Sequence, residues 1–317
     1  MIDETIPAAL DGERLDRVVA IVTGASRADA ALLVSAGGAS VDGAVVTSGK
    51  VRVREGQQVV VDPTLLPVEQ LPAADPTIEL SVVFVDAHVI VIDKPAGLVV
   101  HPAAGHGDGT LVNGLLARFP EIADVGDPQR PGIVHRLDVG TSGLMVVARS
   151  DVAYHALVAA LAQHRVERTY RALVWGCPSS PVGVVDAPIG RDRNDPLRMA
   201  VVVDGKPART HYRVLRRYRA HGEVTDVRCR LETGRTHQIR VHLAAIGHPV
   251  VGDATYGGLR VALATRRPML HAEALAFVHP VSGAPLEFRS ALPADMQGLL
   301  DELEAADGAS DPDEQHR

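Results

Sequence analysis

The chain has 317 residues, 46% of them hydrophobic, which is long for one domain and enough for two with real cores. No apolar run approaches bilayer-spanning length and the start, MIDETIPAALDGERLDR, has no apolar signal core, so neither a membrane span nor a secreted precursor is expected and a cytoplasmic location is. Two cysteines, Cys177 and Cys229, are too few for a disulfide scaffold or a four-cysteine zinc site. The net charge of −7 misleads as a mean: residues 301–317 carry seven acidic side chains against one arginine, whereas residues 130–240 carry 19 Lys plus Arg against 10 Asp plus Glu. A basic middle with an acidic tail suits a polyanionic ligand better than the total implies.

From the start of the chain, RLDRVVAIV reads as a helix. SRADAALLVSAGG reads as a second, with Ser26 as N-cap, Asp29 three residues on, and Gly37-Gly38 as the stop. An Asp42-Gly43 turn, the alternating KVRVR and a Glu55-Gly56 turn then predict a small hairpin unit. These elements carry Arg14, Arg17, Arg27, Lys50, Arg52 and Arg54. The two helices and hairpin over residues 12–62 resemble the S-four-type RNA-binding domain, named from a small-subunit ribosomal protein. That resemblance assigns the six basic residues to contacts with structured RNA. Residues 1–62 are therefore expected to form the first domain. Residues 63–79, with Pro63, Pro67, Pro72 and Pro76, read as a linker, because proline fits neither ladders nor helix interiors.

Residues 80–292 read as one further domain, rich in strands with helices interspersed. Apolar runs flank Asp86-Ala87-His88, and Lys94-Pro95-Ala96-Gly97 reads as a turn. GIVHRLD and GLMVVAR read as strands on either side of Val139–Gly143. A helix is predicted from Ser150-Asp151, strands over RTYRALVWG, RMAVVVDGKPARTHYRVLRR and TDVRCRLETG, and a helix from Thr236 to a stop at Gly247. The expected fold class is α/β in the α+β sense, with a mixed, mainly antiparallel sheet. Residues 293–317 read as an acidic, disordered tail.

Alternation along IVHRLD would put Asp138 at a strand end where a loop begins, positioned to act on something. The neighbours exclude several chemistries. GTSGLMV has no lysine for a phosphate-binding loop. The next acid after Asp138 is Asp151, so the paired carboxylates of magnesium-dependent phosphoryl transfer are not evident. No second acid is visibly paired for glycoside hydrolysis, and His237 and His242, five apart with no glutamate between, are not a zinc-protease helix. Two readings remain from the residues alone: a metal-free carboxylate acting as nucleophile or base, and a structural Asp138 capping the amides of the Gly140–Gly143 loop.

The combination of motifs goes further. PGIVHRLDVGTSGLMVVAR strongly resembles the catalytic motif of the RluA-type pseudouridine synthases. VIDKPAGLVVHPAAGH, RTYRALVWG, DGKPARTHYRVL, ETGRTHQIRVHLAAIGHPVVGDATYG and LHAEALAFVHP follow in the family's order, from about Val82 to Ser290. With the basic first domain, the closest subgroup is similar to members that modify large-subunit ribosomal RNA. The resemblance implies isomerisation of uridine to pseudouridine, with no nucleotide, metal or organic cofactor. It assigns the catalytic carboxylate to Asp138, its cationic partner to Arg240, and a uracil-stacking tyrosine that helps move a proton to Tyr170. Arg136 matches the arginine that fills the space a flipped base leaves, and Leu270 an apolar wall below the uracil. His101, Arg235, His237 and Tyr256 lie in family motifs without a separable role. A partly dry pocket disfavours a lone ionised carboxylate, so a cation beside Asp138 is expected on physical grounds too. The small residues after Asp138 are read as room for the flipped nucleotide. The partner implied is ribosomal RNA or a pre-ribosomal particle, with no membrane and a monomer as default. The alternatives are the same reaction on transfer RNA or another RNA, a non-catalytic ribosome-assembly factor, and a metal-dependent hydrolase for which no ligand cluster is seen.

Overall fold

The computed structural model describes residues 1–67, 71–102, 108–196, 198–219 and 222–310. The chain divides into two compact units, Met1–Gln70 and Leu71–Arg317.

In the first unit, strands β1 (Ile2–Thr5), β2 (Ala39–Val41), β3 (Ala44–Val45) and β4 (Gln58–Val61) form an antiparallel sheet in the order β1-β4-β2-β3. Helices α1 (Leu15–Thr23) and α2 (Arg27–Ser35) lie where expected, and Ser26 caps α2 by accepting from the Asp29 amide. Asp42 and Gly43 both have positive φ, as the tight β2–β3 turn requires. Leu15, Val18, Leu33, Val53 and Val59 are fully buried between helices and sheet. The KVRVR stretch differs from expectation: only Arg52 makes a bridge, to Arg14. Its backbone bonds run to the turn before α1, through Gly12 N to Val53 O and Val53 N to Glu13 O, both 2.9 Å, so its partner is a loop and no ladder extends.

The linker expected at 63–79 is shorter than its prolines suggested. Pro63–Leu65 makes a single 3-10 turn, and from Leu71 the chain belongs to the second unit. There Asn113 donates to the Ala73 carbonyl at 2.7 Å, and the Asp75 amide donates back to the Asn113 carbonyl at 2.9 Å.

The second unit contains β5 (Val82–Val85), β6 (Val89–Lys94), α3 (Leu111–Arg118), β7 (Ser142–Ala148), α4 (Asp151–Ala162), β8 (Glu167–Trp175), β9 (Val182–Asp186), β10 (Ile189–Arg191), β11 (Met199–Val201), β12 (Arg209–Tyr218), β13 (Val224–Leu231), α5 (Gln238–Ala245), β14 (Leu270–Val278), β15 (Pro285–Arg289) and α6 (Ala294–Ser310). Nine strands join in the order β5-β6-β7-β14-β8-β13-β12-β9, with β15 on β14, and β10 pairs with β11 separately. Among the described strands, β7 against β14 is the parallel pair and the rest are antiparallel, which is the mixed sheet expected.

The central strands are apolar on both faces because both are covered. Ile90, Ile92, Met145 and Val147 pack with Leu111 and Leu115 of α3 and Ile239 and Leu243 of α5. Val89, Val91, Leu144 and Val146, the alternate residues, pack on the opposite side with Leu157 of α4 and Phe277.

The disordered tail expected from Pro293 onward is overturned for its described part. Met296, Leu299, Leu300 and Leu303 of α6 are buried with Trp175 and Tyr218. The stretch is acidic on one side and apolar at i, i+3, i+4 and i+7, which is an amphipathic helix and not a solvated coil. Residues 311–317 lie outside the described residues.

Candidate active site

Asp138 does not end a strand. Gly132 O accepts from Ala148 N and Ile133 bridges Val147, but the pairing then stops, because the His135 ring takes the Val146 amide at Nε2, 3.0 Å away. An imidazole replaces the next carbonyl of the ladder, and the chain turns away from the sheet. Burial holds the His135 pKa down to about 3, so the ring is the neutral acceptor that this bond needs.

Asp138 opens a tight turn, its carbonyl accepting from the Thr141 amide at 3.0 Å. Three groups pin that turn from outside. Gly97 N donates to Val139 O at 2.7 Å, and the buried Lys94 ammonium, bonded to the carbonyls of Pro95 and Leu98, reaches Val139 O at 3.5 Å. Arg267 donates to Gly140 O at 3.2 Å and is itself held by two bonds to Asp295 at the start of α6. The small residues that follow are not open space, as the sequence suggested. Thr141 and Ser142 are buried, and Gly143, at φ 111°, lies so close to β14 that a Cβ would sit 2.3 Å from the Ala272 carbonyl oxygen. They are small because two backbones meet there.

The Asp138 side chain is free of that loop and faces a cavity of about 370 Å³, a volume suited to a small ligand or one nucleotide. Arg240, on the first turn of α5, donates through NH1 to Asp138 Oδ2 at 3.2 Å. Its other edge is bidentate on the fully buried Asp253, with Nε to Oδ2 at 2.6 Å and NH2 to Oδ1 at 2.9 Å. Asp253 is fixed in turn by the amides of Thr255 and Tyr256. Burial opposes the charge on Arg240, but the bonds and charge of Asp253, with Asp138 beside it, more than offset that and raise its pKa.

His237 stands on the other side of Asp138, its Nε2 4.0 Å from Oδ1. Its backbone is left-handed, φ 57°, a conformation that costs a non-glycine residue about 1–2 kcal/mol. Its Nδ1 lies 2.8 Å from the Tyr256 hydroxyl, which already accepts from the Met199 amide. Burial lowers the His237 pKa against the pull of Asp138. A neutral ring with a carboxylate facing Nε2 keeps its proton there and accepts the Tyr256 proton at Nδ1, so His237 presents an N–H to Asp138.

Tyr170 and Leu270, both buried, complete the cavity wall from the neighbouring strands β8 and β14. Burial pushes the Tyr170 phenol up to about 12, with Arg168 opposing, so the hydroxyl stays protonated at neutral pH. Arg136 is exposed at the rim, 3.5 Å from His101 Nε2. Arg235 is also exposed and donates to Pro207 O.

Thus Asp138, Tyr170, Arg240, Arg136 and Leu270 line one cavity, with His101, Arg235 and His237. The basic residues of the first unit divide into two sets. Arg14 and Arg27 are ion-paired to the buried Asp16, and Arg17 to Glu13. Lys50, Arg52 and Arg54 are exposed, Arg52 reaching the Gly12 carbonyl. Sequence reasoning missed Asp253, Lys94, Arg267 and Arg168, the last a buried arginine on the cavity wall. A signal for Asp253 existed in GDATYG, an acid followed by a turn, within a motif already recognised.

Comparison with known proteins identifies the family. Residues 88–245 match the family model described as RNA pseudouridylate synthase. The chain is 46% identical over 307 residues to the ribosomal large subunit pseudouridine synthase D of Pseudomonas aeruginosa, covering 93% of each chain. It is 50% identical over 263 residues to the protein of the same name from Xanthomonas campestris, covering 79% of this chain and 77% of that one. The solved structure of human RNA pseudouridylate synthase domain containing 1 superposes with a TM-score of 0.54 at 28% identity, covering 72% of this chain and 95% of that one.

Proposed function

The chain belongs to the RNA pseudouridylate synthase family, and from that premise we propose that it isomerises uridines of large-subunit ribosomal RNA to pseudouridine in the cytoplasm, with Asp138 as its single catalytic carboxylate. The observation that carries the assignment is the cavity itself: Asp138 is the only acid among its described lining residues, and it is held there by Arg240.

The reaction breaks the N1–C1′ bond, turns the uracil, joins C5 to C1′ and moves the C5 proton to N1, so atoms and electrons balance without any external reagent. Three routes use one carboxylate: attack at C1′, addition to uracil C6, and removal of a sugar proton. Each begins from ionised Asp138. Arg240 donates to its Oδ2, and the lock on Asp253 keeps that donor in place. His237 offers a second N–H toward Oδ1. Tyr170, beside Asp138 and protonated, supplies a ring to stack on the uracil and a hydroxyl that donates and does not abstract.

A uridine reaches this cavity only when flipped from its stack, at a cost of a few kcal/mol in paired RNA. Arg136, exposed at the rim, suits the role of filling the vacated space, and Leu270 forms the apolar wall against the base. Lys50, Arg52 and Arg54 of the first unit add affinity through phosphate contacts, in the manner of an S-four-type domain.

The test is a map of pseudouridines in ribosomal and transfer RNA from two strains, one without the gene and one carrying Asp138→Asn, each compared with the wild type. Loss of particular rRNA pseudouridines in both strains is expected. Loss confined to transfer RNA would transfer the substrate, and unchanged maps would reject the assignment.

A further inference from the structure

Arg168 is a cation held in the cavity wall without an anion. It is 7% exposed, lies on β8 and lines the same cavity as Asp138. Among the described residues no carboxylate pairs with it. Its NH2 donates to the Glu232 carbonyl at 3.3 Å, and its Nε is buried with no partner. Room for the guanidinium is built in: a Cβ on Gly234 would sit 2.6 Å from its NH1. The four other arginines lining the cavity differ in kind. Arg240 is committed to Asp253 and Asp138, and Arg130 to Asp127, while Arg136 and Arg235 are exposed.

Taking a guanidinium out of water is unfavourable unless an opposite charge and hydrogen bonds compensate. Here no carboxylate among the described residues compensates, and the side chain lines the cavity that holds Asp138. The guanidinium fork matches the paired oxygens of a phosphodiester. Position decides the class of contact. Arg168 and Tyr170 are two apart on one strand, so their side chains share a face roughly 6.5–7 Å apart along it. With a base on the Tyr170 ring, one sugar separates that base from a phosphate near Arg168.

We propose that Arg168 is a phosphate-binding residue of the substrate strand, receiving a phosphodiester that flanks the target uridine and so fixing the flipped nucleotide along β8. The inference rests on the reading of the chain as an RNA pseudouridine synthase and adds a ligand-binding site to it.

The test uses the full chain and a short RNA spanning one uridine that the wild-type protein converts in rRNA. Single methylphosphonates replace, one at a time, the phosphates flanking that uridine, with a 2′-deoxy sugar on the 5′ side of the linkage in test and control RNAs alike. Binding is measured in the Asp138→Asn background. One uncharged linkage is expected to weaken binding about ten- to a hundredfold. Arg168→Met is expected to weaken binding to the unmodified RNA similarly and to be indifferent to that one linkage. Arg168→Lys, which keeps the charge and the fold if the Met variant does not fold, retains sensitivity at the same linkage. Independent, multiplying losses at every linkage, or wild-type affinity in the Met variant, overturn the proposal while leaving the enzyme assignment intact. Failure of the wild-type protein to convert any rRNA uridine overturns the assignment first.

Discussion

Asp138 and Arg240 lie 102 positions apart and meet through one hydrogen bond of 3.2 Å, while the other edge of the same guanidinium is held by a second, fully buried aspartate. The cation is thus aimed by Asp253 and used by Asp138. Replacing Asp138 by Asn preserves its size and removes the charge that Arg240 faces. Conversion of uridine is expected to fall by more than about 10³-fold, with RNA affinity largely kept. Single-turnover formation of pseudouridine and filter binding, measured on the same preparation, separate the two.

Asp253→Asn tests the aiming. An amide oxygen in place of Oδ1 still accepts from the Thr255 and Tyr256 amides, but the NH2 in place of Oδ2 faces Arg240 Nε, which also only donates. Breaking one side of a buried ion pair costs about 3–5 kcal/mol. Loss of stability is expected together with loss of turnover. In a cycle with Arg240→Met, the double variant should cost less than the sum of the singles, because the second change removes a cation already stranded. Additive costs would mean that the two residues do not act as a unit.

Tyr170 separates stacking from proton donation. Tyr170→Phe keeps the ring against the base, so RNA affinity should hardly change. It removes a hydroxyl that stays protonated, and turnover is expected to fall by roughly 10²-fold. Tyr170→Ala should also weaken binding, by about 1–3 kcal/mol for the lost stack. Equal turnover in Tyr170→Phe would limit the residue to packing.

How much of this was legible before the fold was known depended on whether a signal was local or recurrent. The helices α1 and α2 followed from spacing and caps, and the mixed sheet from strands without regular helical crossovers. Asp138, Tyr170 and Arg240, which line one cavity, were singled out through several motifs in order, since nothing in GIVHRLD alone names a partner beyond its own neighbourhood. The IVHRLD strand misled because alternation reports side-chain faces and not hydrogen bonds: His135 caps the Val146 amide where a ladder would continue. The glycines after Asp138 looked like open space because a missing Cβ reads the same whether a ligand or another backbone approaches. Here it is Ala272. Asp253 escaped because a buried acid is recognisable only once its arginine is placed.

Acid should destabilise the protein before its carboxylates titrate. Burial lowers the pKa of His135 to about 3 and that of His237, His242 and His271 below the ordinary 6.5. Each depressed histidine contributes stability that is fully present above 6.5. It is lost as pH falls from 6.5 toward the folded value, because the unfolded chain binds the proton first. Unfolding monitored between pH 6.5 and 4.5 should therefore show stability falling with pH. In His135→Gln, whose amide oxygen can still accept from Val146, that slope should flatten. An unchanged slope would place the loss elsewhere.

The helix α6 was hidden by its acidity, yet its apolar residues make it part of the second unit. Met296, Leu299, Leu300 and Leu303 are buried with Trp175 and Tyr218, and each buried aliphatic side chain contributes about 1.5–3 kcal/mol. Leu303→Ala is accordingly expected to cost about 2–5 kcal/mol, the range for a cavity in a packed core. Trp175, the one tryptophan of the chain, reports on this cluster directly, so its emission should shift to the red at a lower denaturant concentration in the variant. Asp295→Asn provides the contrast. It releases Arg267, which steadies the Asp138 turn through Gly140 O, but the ion pair is half exposed and contributes only about 0–1 kcal/mol. Its effect should therefore appear in turnover with little change in the tryptophan transition, the reverse of Leu303→Ala. If both variants move the same observable, α6 acts on the site only through overall stability.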